Sequence, residues 1–211
     1  VTLPCVNDDG VLEGVITIGD ITKSYMNLYD SSIISKAGTK YANILDTLDG
    51  TMVIGDPEAY FDKGKVLIAA ANPDLMENYI EKHDLVILGN RYESQLCAIE
   101  MEAGCIIVCE GAGVSLTIRK LAQERGCTVI TTPYDTYTAA RLINQSMPIS
   151  YFMTTEKIIT FSEEDYLDDI RDIMASKRHR DFPIMNSNGK YLGMISRRNL
   201  LGARGKSIIL V

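Results

Sequence analysis

Two kinds of hydrophobic pattern alternate along this chain. Near both ends, short apolar runs flank Asn, Asp and Gly: 3–6 and 11–16 around Asn7 to Gly10, then 182–185 and 191–195 around Asn186 to Gly189. Paired runs about an Asx/Gly turn predict β-hairpins. Between them lie continuous apolar runs at 65–71, 85–88, 105–109 and 128–131, each followed by a helical pattern, at 73–82, 93–102, 115–124 and 136–145. Four successive βα units predict a mainly parallel sheet with helix-covered faces. The stretch 22–64 is less regular and reads as a connection through a helix at 41–48.

The two hairpins are copies of each other. Residues 3–20 lie over 182–199 without a gap, at one offset (183 − 4 = 179), matching Pro4 with Pro183, Asn7 with Asn186, Gly10 with Gly189, Gly14 with Gly193 and Ile16 with Ile195. Thr17 then falls on Ser196 and Asp20 on Asn199, a hydroxyl and an Asx residue at the start of the next helix. The second copy also carries a front half. A short strand is expected at 158–160, then a helix capped by Ser162, with Glu163, Glu164 and Asp165 at its positive end and Tyr166, Leu167, Ile170, Ile173 and Met174 on its apolar face. The matching front half of the first copy would precede residue 1 (148 − 179 = −31). The fold class expected is therefore α/β and α+β: a repeat pair, its first copy truncated, around an inserted βα domain. The expected boundaries are 1–30 for the first copy, 31–63 for a connector, 64–147 for the α/β domain and 148–205 for the second copy, with 206–211 starting a further domain.

Composition narrows the function. A net charge of −7 disfavours a general binder of nucleic acid or anionic membrane, which needs a dense Lys and Arg surface. The apolar runs are too short to cross a bilayer and residues 1–9 lack the build of a signal peptide, so a cytoplasmic protein is expected. The five cysteines form no CxxC pair and read as reduced, buried small hydrophobes; with only two histidines, neither a metal centre nor a catalytic triad is easily assembled.

Gly14-Val-Ile-Thr17-Ile-Gly-Asp20 resembles the Gly-x-x-Thr/Ser-x-x-Asp signature of the cystathionine-β-synthase (CBS) module, and Gly193-Met-Ile-Ser196-Arg-Arg-Asn199 does so with Asn for Asp. The middle of the chain is similar to the DRTGG domain through Leu88-Gly-Asn-Arg91, Gly111-Ala-Gly-Val-Ser115 and Thr132-Pro-Tyr-Asp-Thr136, with Asn90-Arg91 where Asp-Arg is usual. The order CBS, DRTGG, CBS resembles the regulatory region of CBS-containing family II (manganese-dependent) inorganic pyrophosphatases. That resemblance implies a non-catalytic module. It would bind an adenine nucleotide (AMP, ADP, ATP or a diadenosine polyphosphate), dimerise through its CBS repeats, and signal to a tethered pyrophosphatase domain, which alone would hold manganese.

The chemistry of the candidate residues fits such a ligand. A carboxylate accepts hydrogen bonds from both ribose hydroxyls, and a hydroxyl three residues earlier reaches a ribose or phosphate oxygen, the roles assigned to Asp20 and Thr17. Asp20 could instead simply cap its helix. Ser196 and Asn199 take the same places in the second copy, where a neutral amide holds ribose less strongly, so the two sites should be unequal. Arg178 and Arg180 are the favoured phosphate contacts, supported by Lys177 and His179 in the same basic run and by Arg197 and Arg198. Phe182, or Tyr191 across the hairpin, could pack on adenine or be ordinary core; Leu3, Pro4 and Pro183 line the adjoining strands. Secondary candidates in the α/β domain are Arg91, Gly113 and Ser115, with Thr132, Asp135 and Thr136 at the same strand ends. They leave a second reading open, in which the α/β domain is an enzyme or metabolite binder and the CBS-like ends serve assembly.

Overall fold

The computed structural model describes residues 1–26, 30–69 and 72–201. In chain order, β1 (Thr2–Val6), β2 (Leu12–Thr17) and α1 (Ile18–Met26) are followed by α2 (Ile33–Lys36), β3 (Thr39–Lys40), α3 (Tyr41–Thr47), β4 (Thr51–Ile54) and β5 (Tyr60–Phe61). The βα run comprises β6 (Val66–Ile68), α4 (Pro73–Met76), β7 (Leu85–Leu88), α5 (Tyr92–Glu100), β8 (Cys105–Val108), α6 (Leu116–Arg125), β9 (Thr128–Thr131) and α7 (Thr136–Leu142). Last come β10 (Phe161–Ser162), α8 (Leu167–Ser176), β11 (Asp181–Met185), β12 (Tyr191–Ser196) and α9 (Arg197–Leu201). These elements form two units, one from residues 26–151 and one that joins residues 1–25 to residues 152 onward.

The continuous unit is a five-stranded sheet in the order β4-β9-β8-β7-β6, parallel except for the antiparallel edge pair β4/β9. Because successive strand residues point to opposite faces, Val86, Leu88, Ile106, Val108 and Val129 pack against Met76 of α4, Ala98 of α5 and Ile118 of α6. Leu85, Ile87, Cys105, Ile107 and Ile130 pack on the other face against Ile34, Tyr41, Ile44 and Ala139. The carboxylate of Asp84, 1% exposed, accepts from the backbone N–H groups of Lys65 and Glu81, both at 2.8 Å, and so ties the starts of β6 and β7 together.

A mainly parallel sheet, inserted in the sequence between two hairpins, is what the sequence leads one to expect, and both are present. Residues 31–63, however, are not a connector. α3 supplies core residues and β4 closes the sheet edge, so this stretch belongs to the α/β unit. The helix expected at 73–82 is confined to α4, with turns after it. The strand expected at 206–211 lies outside the described residues.

In the discontinuous unit the repeat holds down to single hydrogen bonds. In the first hairpin Thr2 pairs with Thr17, Leu3 with Ile16, Pro4 with Val15, Cys5 with Gly14 and, after a register shift, Val6 with Leu12. The second pairs Asp181 with Ser196, Phe182 with Ile195, Pro183 with Met194, Ile184 with Gly193 and, after the same shift, Met185 with Tyr191, each partner displaced by 179. In both turns an Asn side chain accepts two backbone N–H bonds: Asn7 from Asp9 and Val11, and Asn186 from Asn188 and Lys190. Gly10 and Gly189 take the positive φ angles the turns require, +80° and +74°.

The hairpins meet at their tips, where Val11 bridges Lys190 and the Tyr191 N–H donates to Gly10 O at 2.9 Å. Each also gains one further pairing, but on opposite edges: Val15 exchanges two backbone bonds with Thr154, while β11 takes β10 in parallel.

Two details at the front of the second copy depart from the sequence reading. The short strand falls at β10 rather than 158–160, because Phe161, 3% exposed, stacks on Phe182 with ring centroids 5.3 Å apart. The helix starts at Leu167 with Tyr166 as its cap; Ser162 instead sits in β10, its N–H donating to Asp165 at 2.8 Å. Of the face expected for that helix, Ile170 and Met174 are buried, whereas Tyr166 is 79% exposed.

Candidate functional site

Each hairpin ends in the same closed ring of hydrogen bonds. In the first copy the N–H and Oγ1 of Thr17 both donate to Asp20 Oδ2 at 2.8 Å, and the Asp20 N–H returns a bond to Thr17 Oγ1 at 3.2 Å. This is a reciprocal capping box. In the second copy the N–H of Ser196 donates to Asn199 Oδ1 at 3.1 Å, the Ser196 hydroxyl donates to the same oxygen, and the Asn199 N–H donates to Ser196 Oγ at 3.3 Å. So Thr17 caps the helix and Asp20, in its first turn, closes the box through one oxygen; among the described residues Oδ1 takes no bond. Thr17, Asp20 and Ser196 are half-buried and Asn199 is exposed, so all four can be reached from solvent.

The two copies therefore present opposite chemistry. Asp20 keeps an acidic acceptor, suited to the donor hydroxyls of a sugar. Asn199 has spent its carbonyl oxygen on Ser196, which leaves the amide N–H donors, suited to phosphate or carbonyl oxygens.

The basic run Lys177 to Arg180 borders the second copy. The Arg197 N–H donates to Arg180 O at 2.9 Å, and Asp181 pairs with Ser196, so the loop ends beside the Ser196–Asn199 ring. All four side chains of the run are exposed, and the His179 ring meets Phe182 edge-on at 6.3 Å.

Not every candidate gathers there. Phe182 is 1% exposed, packed with Phe161, Ile170 and Met174, and has no face free for a base. Pro183 is likewise buried, while Leu3 and Pro4 remain accessible. Tyr191 begins β12 and Ser196 ends it, a separation of roughly 17 Å at 3.4 Å per residue. Burial raises the Tyr191 pKa, and its place is at the joined tips rather than beside the capping ring.

The secondary candidates in the α/β unit serve its own helices. Ser115 caps α6 by accepting from the Ile118 N–H at 3.2 Å, and Asp135 caps α7 by accepting from the Thr138 N–H at 2.7 Å, which lowers its pKa. Thr132 is buried and donates to Leu48 O at 2.6 Å. Arg91 and Gly113 are exposed. The strand order β9-β8-β7-β6 contains no reversal, and so lacks the switch point at which open α/β sheets form a ligand crevice. A shallow groove in this unit runs between α5 and α6, lined by Leu96, Glu100, Leu116, Lys120 and Leu121.

All five cysteines are free thiols, and among the described residues no group of three or more His, Cys, Asp or Glu is placed to hold a metal ion. No helix among those residues is long and apolar enough to cross a membrane.

Comparison with known proteins gives two domain matches, the DRTGG domain over residues 43–146 and the CBS domain over 149–206. The start at 43 agrees with the inclusion of α3 and β4 in the α/β unit. The whole chain is 35% identical to the cobalt-dependent inorganic pyrophosphatase of Clostridium perfringens, and 99% of it is 27% identical to the probable manganese-dependent inorganic pyrophosphatase of Thermotoga maritima. The chain spans 38% of the length of each. Among solved structures it is similar, with a TM-score of 0.86 and 36% identity, to the CBS and DRTGG domains of the regulatory region of the Clostridium perfringens pyrophosphatase, complexed with the activator diadenosine tetraphosphate. The match covers 93% of this chain and 85% of that one.

Proposed function

The chain belongs to the CBS–DRTGG regulatory regions of CBS-containing inorganic pyrophosphatases, and from that membership we propose that it senses adenine nucleotides and controls a tethered pyrophosphatase domain. The observation that carries the reading is the repeat itself: two hairpins, identical in register, joined at their tips and each ending in a hydroxyl–Asx ring. Asp20 Oδ1 takes the ribose hydroxyls, with Thr17 beside it. Ser196, Asn199, Arg178 and Arg180 take phosphate oxygens, with Lys177 and His179 adding positive charge. The nucleotide contact by Phe182 that the sequence allowed has no place in this scheme. Adenine packs instead on the accessible strand residues Leu3 and Pro4.

Occupancy acts on the catalytic domain only through different affinities for its two states, so the sign of the effect follows from which state holds the nucleotide better. The whole protein would hydrolyse pyrophosphate with a metal bound in the catalytic domain, work in the cytoplasm, and dimerise through its CBS repeats.

Isothermal calorimetry with AMP, ATP and diadenosine tetraphosphate tests the assignment on the purified chain. Asp20→Ala should weaken all three, and Arg178→Ala the polyphosphates most. Unchanged affinity in both variants would remove these residues from the site, and a wild-type chain with no affinity for any of the three would remove the function.

A further inference from the structure

From the bonds around Arg197 we infer that this residue positions the basic loop, and thereby sets how strongly the second copy grips a chain of phosphates; this rests on the nucleotide-binding reading above. Arg197 holds both ends of the run from Lys177 to Arg180. Its Nη2 donates to Met174 O in the last turn of α8 and to Lys177 O, the residue that ends the helix, while its backbone N–H donates to Arg180 O at 2.9 Å. Those helix-end carbonyls have no partner within α8, and one guanidinium nitrogen, Nη2, satisfies both while placing its charge at the negative end of the helix.

The consequence for the loop is geometric. Four consecutive residues are exposed, three of them basic and one a histidine, yet the backbone is pinned at Lys177 and Arg180 by a single neighbour. Arg178 and Arg180 thus approach a ligand from a fixed base, and less ordering is left for binding to complete.

The Nε of Arg197 is buried without a hydrogen-bond partner, so the side chain is committed to the clamp at the expense of one donor. The other copy confirms that the repeat itself does not demand an arginine here. At the equivalent place (197 − 179 = 18) stands Ile18, 59% exposed, at the start of α1.

The experiment compares Arg197→Lys and Arg197→Met in the full chain, titrating AMP, ADP and ATP into each. Arg197→Met should lose about tenfold in ATP affinity, the order expected when one preorganised charged contact is released, and much less for AMP. Arg197→Lys keeps the positive charge but on a shorter stem without the Nη2 that reaches both carbonyls, and should fall between wild type and Met if positioning is the role; a residue acting by charge alone would be restored by Lys. In an Arg178→Ala, Arg180→Ala background the Arg197→Met change should add nothing to the loss. A loss equal for all three nucleotides, or one that adds fully in that background, would overturn the clamp, as would no loss at all. Absence of binding by the wild-type chain would instead defeat the function it rests on. A melting curve for each variant separates lost affinity from lost fold, and if Arg197→Met does not fold, the Lys variant carries the comparison.

Discussion

Gly14 and Gly193 occupy the same position in the two copies, and alanine should affect them in opposite directions. A Cβ built on Gly14 would lie 2.7 Å from Met153 Sδ and 2.8 Å from Thr154 O, whereas one on Gly193 meets no atom within 4 Å. The sulfur can swing away, but the carbonyl cannot. Thr154 exchanges two backbone bonds with Val15, at 2.9 and 2.8 Å, and moving its oxygen breaks that pairing. Overpacking of this kind costs about 1–3 kcal/mol, and the two bonds are together worth about 1–3 kcal/mol more. Against this, replacing a strand glycine by alanine gains about 0.5–1 kcal/mol. Gly14→Ala should therefore lose about 1–5 kcal/mol, and Gly193→Ala should gain up to about 1 kcal/mol. Urea unfolding of both variants beside wild type, followed by circular dichroism, measures the difference. Equal losses, or a neutral Gly14→Ala, would refute the reasoning, because the prediction depends on Thr154 covering one copy and not the other.

Three further outcomes follow from residues already described. Phe182→Ala should destabilise by about 3–5 kcal/mol, as expected for emptying a buried aromatic site, while His179→Ala should change the urea midpoint little. Asp84→Ala leaves two part-buried backbone N–H groups without their acceptor and should cost about 1–3 kcal/mol, visible as early loss of the α/β unit in hydrogen exchange. Burial raises the thiol of Cys105 well above its ordinary 9.0 and that of Cys127 to about 12. Stability owed to these neutral thiols is complete below pH 9 and is lost as pH rises, because the unfolded thiols ionise first, by about 1.4 kcal/mol per pH unit for each. The double variant Cys105→Ala, Cys127→Ala should show a flatter decline between pH 9 and 11 in the same urea assay, and an unchanged slope would assign the alkaline loss elsewhere.

Much of this fold is legible in the sequence because its signals are strong and local. β7 and β9 have the limits their apolar runs predict, since a strand buried on both faces needs an unbroken run. β4 was hidden for the opposite reason: it is a half-exposed edge strand whose partner, β9, comes almost eighty residues later (131 − 51 = 80 at the outer pair). The start of α8 was misplaced because Ser162 and Asp165 have the spacing of a capping pair, and their hydrogen bond closes a turn ahead of the helix instead. For the candidate site, the sequence exposes Thr17, Asp20, Ser196 and Asn199 through the repeat. It does not say that Phe182 would be consumed by the contact with Phe161, nor that Arg197 would reach back over twenty residues to Lys177, because both depend on packing between distant segments.

The order in which ribosomes deliver this polypeptide bears on how it matures. The α/β unit is contiguous and can collapse as soon as it emerges. The first hairpin must wait: Val15 finds Thr154 only after 139 further positions (154 − 15) have been synthesised, and its tip has no counterpart until Lys190 arrives. Pairings so distant close slowly, leaving β2 with an unsatisfied edge during synthesis. Stalling translation before Thr154 and Lys190 emerge should thus leave a nascent chain in which the middle resists protease and the first hairpin does not.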